Sequence, residues 1–496
     1  MQFFVSLVLL VFFTGNYSVI AQKNKSTLPN IIYIYADDMG YGELGCYGQQ
    51  KIKTPNIDKL AEEGIIFTQH YTSSPVCAPA RCMLLTGMHG GHSYIRGNYE
   101  LGEFSDEKEG GQMPLPPGVF TLPMMLKKAG YSTALCGKWG LGMPAAGGSP
   151  LMHGFDYYYG FLDQKQAHNY YPTHLWENDK WDTLDNHAMN VHQRKDSSTF
   201  TDKDFEFYKG KEYAPNLITE KAVSFIERNK HGPFFLYLPY TIPHVSLQAP
   251  EEYVKKYIGL FDEKPYYGQK GYAANKFPFS TYAAMITYLD DQVGLIMKRI
   301  KELGIDNNTF IMFSSDNGAS AAGGANPDFF NSVRGLRGLK MDLFEGGIRM
   351  PFIARWPGKI RAGSQTQHIS AQYDVMATFA ELTKQQLTTT DGISFLPELL
   401  GKATIQKKHP YLYFEYPENG GQVAIRMGKW KAIKRNLKKN PDSPWMIFDL
   451  DKDEKELVNI ATLHPELVRQ FDTILKKEHQ CPHIKEWEII DPRFDK

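Results

Sequence analysis

Short apolar strands alternate with amphipathic helices along this chain. That pattern predicts an α/β fold: a large, mainly parallel sheet sandwiched by helices, then a smaller C-terminal antiparallel sheet with one helix. Three observations carry the prediction. Strand and helix patterns alternate between residues 30 and 313. Four of the strands end in polar residues, as strands of an open sheet do at a ligand-binding rim. Beyond residue 400, four short strand candidates follow one another at close spacing.

The elements follow in order. Residues 30–35, Asn-Ile-Ile-Tyr-Ile-Tyr, are β-prone and apolar, and stop at Asp37-Asp38. Thr54-Pro55 opens a helix, with Pro pre-set for the first helical position, and Gly64 ends it. A second helix spans 121–129, and a strand over 131–136 leads into Lys138. Residues 140–215 are rich in Gly, Pro, Tyr, Asn and His and read as a long loop region, functional or flexible. A helix over 215–229 precedes a strand at 234–238, with His244 beyond it. Residues 282–303 form the clearest amphipathic helix, with Met285, Ile286, Leu289, Val293, Ile296 and Ile300 on one face. A strand at 309–313 runs into Asp316-Asn317-Gly318. Strands at 411–416, 422–427, 429–434 and 446–450, and a helix over 465–477, make the small second unit.

The 496 residues carry 55 basic and 55 acidic side chains, so composition gives no reason to expect nucleic acid or an anionic membrane as partner. Aromatic content is 13%, which suits either sugar stacking or a large core. Residues 3–13 are almost unbroken apolar, too short to span a bilayer, and Val19-Ile20-Ala21 offers a cleavage site. Residues 1–21 are therefore expected to be a signal peptide. The mature protein would be exported, periplasmic or secreted, with no membrane anchor. The expected division is 22–400 for a catalytic α/β domain and 401–496 for a C-terminal α+β subdomain.

If the strands are parallel, Asp37, Asp38, Lys138, His244, Asp316 and Asn317 converge on one rim. Asp37, Asp38, Asp316 and Asn317 offer oxygen only, the preference of hard cations such as calcium or magnesium. Singly, each pair would pass for a turn or cap; two pairs after two apolar strands favour a metal site. Lys138 and Lys340 would singly pass for solvated surface charges; a role for them and for Arg81 as fixed cations beside charge-bearing oxygen comes only with the motifs that follow. His244 is of the type that protonates a leaving alkoxide.

Residues 73–87 organise these pieces. Cys77, Pro79 and Arg81 form Cys-x-Pro-x-Arg, continuing through Leu84, Leu85, Thr86 and Gly87. This resembles the first signature of the type I, formylglycine-dependent sulfatases of the alkaline phosphatase superfamily. Gly137-Lys-Trp-Gly, Phe344-Glu-Gly-Gly-Ile-Arg349, residues 391–397, residues 428–433 and Phe448-Asp-Leu450 extend the resemblance over most of the chain. It implies that a formylglycine-generating enzyme oxidises Cys77 to formylglycine, and that Asp37, Asp38, Asp316, Asn317 and position 77 hold one calcium ion. It also implies catalytic roles for Cys77, Arg81, Lys138, His244 and Lys340. Conversion of Cys77 would leave Cys46, Cys82, Cys136 and Cys481, enough for two disulfides or for free buried thiols.

One departure matters. Gly140 stands where many sulfatases have a histidine that serves as a base; His89, His92 and His168 are substitutes by residue type. Residues 163–176 are similar to exported bacterial polysaccharide sulfatases, which implies a sulfated oligosaccharide or polysaccharide substrate. His168, Asn169, His174 and Trp176 would line the sugar pocket, and 4-sulfated galactose or N-acetylgalactosamine is the leading substrate. The alternatives are a phosphodiesterase or phosphonate monoester hydrolase of the same superfamily, and an inactive sulfated-glycan binder.

Overall fold

The computed structural model describes residues 28–105, 108–192, 198 and 200–491. The expected signal peptide lies outside the described residues. Fifteen strands are described: β1 (Asn30–Asp37), β2 (Ile65–Tyr71), β3 (Ser132–Lys138), β4 (Tyr157–Phe161), β5 (His174–Glu177), β6 (Lys180–Thr183), β7 (Phe234–Pro243), β8 (Thr309–Ser315), β9 (Arg349–Arg355), β10 (Ser364–Thr366), β11 (Ser370–Ala371), β12 (Leu412–Tyr416), β13 (Gln422–Met427), β14 (Trp430–Arg435) and β15 (Met446–Asp449).

The large sheet has the order β10-β2-β9-β8-β1-β7-β3-β4-β5-β6, with β11 also on β2. Its centre, β8-β1-β7-β3-β4, is parallel throughout. β9 is inserted antiparallel between β2 and β8, and β5 pairs antiparallel with β4 and β6. β1 is buried along its whole length, as its unbroken apolar run requires. Ile32, Ile34 and Ala36 enter one core, while Ile31, Tyr33 and Tyr35 enter the other. The first core packs under helices Ala214–Asn229 and Pro278–Glu302, the second under Cys77–Thr86, Leu122–Lys128 and Asp374–Thr383.

The small sheet, β12-β13-β14-β15, is antiparallel. Helix Pro465–Glu478 covers one face through Leu467, Phe471, Ile474 and Leu475. Leu412, Phe414, Ala424 and Ile433 on the other face pack against Tyr71, Leu343, Phe344 and Ile348 of the main body. The stretch 140–215 is less irregular than its composition suggests, because β4, β5 and β6 extend the sheet edge through it. β2 and β9 are also absent from the sequence reading. All five cysteines are free, so none of the permitted disulfides forms. Among the described residues no helix is long and apolar enough to cross a membrane.

Candidate active site

The parallel centre of the sheet sets the site. Register pairs Ala36 with Ser315 and Asp37 with Pro243, so Asp316 and His244, each one residue further on, flank the end of β1. Lys138 is the last residue of β3, one strand beyond β7. Asp38 turns away with φ 64°, a left-handed conformation Asp tolerates better than most residues. Its N–H donates to Asp316 Oδ1 at 3.0 Å. Cys77 enters as the first residue of helix Cys77–Thr86, whose ten residues are all buried. Arg81 lies one turn on.

Three carboxylates and three cations interlock here. Asp37 Oδ2 is 2.7 Å from Lys138 Nζ and 3.3 Å from Arg81 Nη2. Arg81 Nη2 also reaches Asp316 Oδ2 at 2.9 Å, and its Nη1 donates to the Lys138 carbonyl at 3.0 Å. Lys340 Nζ is 2.7 Å from Asp38 Oδ1 and 3.6 Å from Cys77 Sγ. Cys77 Sγ is 3.4 Å from Asp37 Oδ1, and His244 Nε2 is 3.6 Å from Asp38 Oδ2. Asn317 Nδ2 donates to Asp38 Oδ1 at 2.7 Å.

Burial pushes Asp37 up, but Lys138, His244, Arg81 and Lys340 together hold it well below the usual carboxylate range. Burial and the charge of Asp37 push Asp316 up. Burial, then Lys340, lowers His244 to about 4. Burial opposes the charge on Lys340, but Asp38 outweighs it and raises the lysine well above its ordinary value. Burial and Asp37 push the Cys77 thiol up. Both effects disfavour the thiolate form of an unmodified Cys77.

The donor set fits a hard divalent cation. Ligand atoms of Asp37, Asp38, Cys77 and His244 lie within 4.8 Å of one another, and Asn317 Oδ1 is buried with no hydrogen-bond partner. A soft sulfur is the misfit in this oxygen-rich cage; an oxygen at position 77 would suit it better.

The sugar-pocket candidates divide. His168 stacks on His244, with ring centroids 4.4 Å apart, and its Nδ1 bonds His192 Nε2 at 2.8 Å. Buried Asn169 accepts from the Tyr171 N–H and leaves its Nδ2 without a partner. His174 and Trp176 form a separate cluster. His174 stacks on Trp181 at 3.9 Å, and Trp176 Nε1 donates to Glu109 at 2.8 Å. His89 and His92 stack on each other beside Asp391 and Glu478, beyond the C-terminal end of helix Cys77–Thr86. A ten-residue helix is about 15 Å long, so of the three substitute bases only His168 is at the site. A Cβ on Gly140 would sit 2.8 Å from Gln164 Cγ, so Gln164 occupies the space next to the missing side chain. His192 and Tyr272, whose ring is 5.6 Å from that of His168, were not singled out from sequence because neither lies in a motif or at a strand end.

A metal-suited acidic cluster with fixed cations, at the carboxyl edge of a parallel sheet, defines an enzyme for anionic ester hydrolysis. Two family models match: Sulfatase over residues 29–385, and N-sulphoglucosamine sulphohydrolase, C-terminal, over 339–480. An N-acetylgalactosamine-6-O-sulfatase of Bacteroides thetaiotaomicron is 30% identical, with 91% of this chain and 93% of the relative covered. The human N-acetylgalactosamine-6-sulfatase is 31% identical over 82% of this chain and 71% of its own length. The crystal structure of Ps i-CgsB, at 28% identity, superposes with a TM-score of 0.74 over 95% of this chain and 99% of that one. It has also been solved with k-i-k-neocarrahexaose. The chain belongs to the sulfatase family, within the alkaline phosphatase-like superfamily, and hydrolyses sulfate esters.

Proposed function

We propose that this protein is exported and removes sulfate from a sulfated carbohydrate of galacto configuration, with Cys77 oxidised to formylglycine by a formylglycine-generating enzyme. The observation that carries the reading is the placement of Cys77. A buried thiol sits 3.4 Å from Asp37 and 3.6 Å from Lys340, among oxygen ligands. Asp37, Asp38, Asp316, Asn317 and position 77 would hold one calcium ion. That ion would neutralise sulfate oxygens, and hydrated formylglycine would supply the nucleophilic oxygen.

The chain's own groups do the rest. Arg81 and Lys138 keep Asp37 ionised and add positive charge where the transferring group gathers negative charge. Lys340 is cationic and next to position 77, so it donates the proton to the leaving alkoxide. His244 donates Nδ1–H to the Val245 carbonyl, which leaves Nε2 as a lone pair facing Asp38. That lone pair can take a proton during attack or sulfate release. His168 and Asn169 are the proposed sugar contacts; half-buried Trp176, on the β5–β6 hairpin, would serve a longer glycan, whereas His174 is buried against Trp181.

The leading 4-sulfate substrate rests on the resemblance to exported bacterial polysaccharide sulfatases, whereas the two relatives named above are 6-sulfatases. The 6-sulfate is therefore carried as a second reading. The test is sulfate release from galactose, N-acetylgalactosamine and glucosamine derivatives, each sulfated at one position, with C77A and matched phosphate esters alongside. Turnover of one galacto-configured isomer, lost in C77A, is expected. Turnover of phosphate esters alone would overturn the reading. So would glycan binding that survives C77A without turnover by the converted enzyme.

A further inference from the structure

The segment that delivers Lys340, residues 336–344, has no regular secondary structure. It is nevertheless fastened from several sides. The Lys340 N–H donates to the Ala319 carbonyl, two residues past Asn317. The Met341 N–H donates to the Pro75 carbonyl, two residues before Cys77. Met341 itself has φ 73°, a left-handed conformation unusual for a residue without a polar side chain. Such a conformation persists when its surroundings over-determine it.

The over-determining group comes from the small C-terminal sheet. Gln422, the first residue of β13, is wholly buried. Its Nε2 donates to the Met341 carbonyl at 2.9 Å, and its Oε1 accepts the Leu343 N–H at 3.2 Å. One side-chain amide thus pairs with the backbone on both sides of Asp342, as a strand neighbour would. Asn419 Nδ2 gives the Met341 carbonyl a second donor at 3.0 Å, and Arg435 Nη2 holds Asp342 at 2.9 Å.

We propose that Gln422 is a positioning residue for Lys340: its amide fixes the left-handed Met341 and so aims the Lys340 ammonium between Asp38 and position 77. The small sheet is then part of the catalytic apparatus rather than an appended stabiliser. This rests on the catalytic reading of Lys340. Gln422 touches no reacting atom, and its effect passes through the backbone of one residue.

The experiment uses the full-length, Cys77-converted enzyme with 4-nitrophenyl sulfate and phenyl sulfate, whose leaving groups need different help from an acid. The variants are K340A, Q422A, the double variant Q422A/K340A, Q422E, which keeps the side-chain size, and N419A, whose side chain is exposed. For phenyl sulfate, Q422A is expected to lower kcat by about 10- to 100-fold, a fraction of a full acid-catalytic contribution. The loss should be smaller for the nitrophenyl ester, with KM nearly unchanged. The double variant should be no slower than K340A, since both changes remove one function. Q422E should fall with Q422A, and N419A should show a milder loss of the same pattern. Hydrogen exchange over residues 336–344 should quicken in Q422A, a readout independent of turnover. If K340A retains its activity, the Lys340 reading and this inference fall together. If K340A is slow but Q422A matches the parent enzyme, adds its full loss to K340A, or leaves the exchange unchanged, the inference alone falls.

Discussion

Replacing Lys138 with methionine tests the charge balance of the site. The lysine ammonium is fully buried, 2.7 Å from an equally buried Asp37. Methionine keeps most of the stem and removes the charge. Breaking a buried pair by deleting one partner costs about 3–5 kcal/mol, because the other charge is left in low dielectric. Arg81 still faces Asp37 at 3.3 Å, so the lower end, about 3 kcal/mol, applies. That is roughly a hundredfold in the folding equilibrium. The three carboxylates would then face two cations, so the cluster would turn net negative and attract a divalent ion proposed to bind at Asp37, Asp38, Asp316 and Asn317 more strongly than the neutral parent cluster does. Calcium should therefore stabilise K138M more than the parent. Denaturant unfolding of both proteins in chelator and in excess calcium measures the two effects. Sulfatase activity of K138M should fall about 10²- to 10³-fold, as for loss of one fixed charge-stabilising donor. A variant within about 0.5 kcal/mol of the parent in chelator would refute the buried-pair argument. Equal calcium stabilisation of both proteins would refute the electrostatic link between Lys138 and the metal site.

Three further outcomes follow from buried features. Lys431 is fully buried between Glu345 Oε1 at 2.9 Å and Glu456 Oε1 at 3.0 Å, so K431M should cost about 3–5 kcal/mol at pH 8 in denaturant unfolding. Burial, partly offset by Lys431, already raises Glu456 to about 7. A folded carboxyl raised above its unfolded value binds more protons when folded, so its contribution to stability falls as pH climbs from about 4.5 through 7. K431M raises that carboxyl further, so the penalty should shrink measurably between pH 8 and pH 5. Gly140 has φ 72° and a crowded Cβ position against Gln164. G140A should lose about 1 kcal/mol or more of stability, and G140H should not gain activity unless Gln164 is shortened too. H168A should reduce turnover of the sugar sulfate more than that of 4-nitrophenyl sulfate, because it removes a proposed sugar contact but leaves the ion cluster whole; equal losses on both would reassign His168 to the chemistry.

The centre of the sheet was legible because burial on both faces forces continuous apolar runs. β1, β3, β7 and β8 all carry such runs, and their ends announce the site. β2 was missed because Thr68, Gln69 and His70 interrupt its pattern. β9 was missed because Pro351 lies inside it and Arg349 and Arg355 bound it. These lie toward the sheet's edge, where tertiary pairing rather than local preference decides. The helix over 278–302 starts four residues before the apolar face becomes periodic, because Pro278 serves as its first turn. β5 and β6 are four residues each, too short for alternation to stand out from a Tyr- and His-rich background.

The site divides along the same physical line. Residues on strand ends or within one turn of a helix start could be placed from sequence, because the fold class fixes where those points converge. Asp37, Asp38, Arg81, Lys138, His244, Asp316 and Asn317 are of this kind. Lys340 could be named only through its neighbourhood to Phe344–Arg349, since nothing in its own segment forms a periodic element. Its position depends on Gln422, some eighty residues later and in another sheet. His89 and His92 show the reverse case. They have the right chemistry and lie close to Cys77 in sequence, yet the intervening helix carries them to the far end of the layer. Sequence proximity helped along a strand end and misled across a helix, because a strand edge gathers neighbours while a helix separates its two ends. The same geometry divides the four sugar-pocket candidates. His168 reaches the site through a stack on His244, while His174, six residues on, has already turned onto the edge hairpin with Trp181.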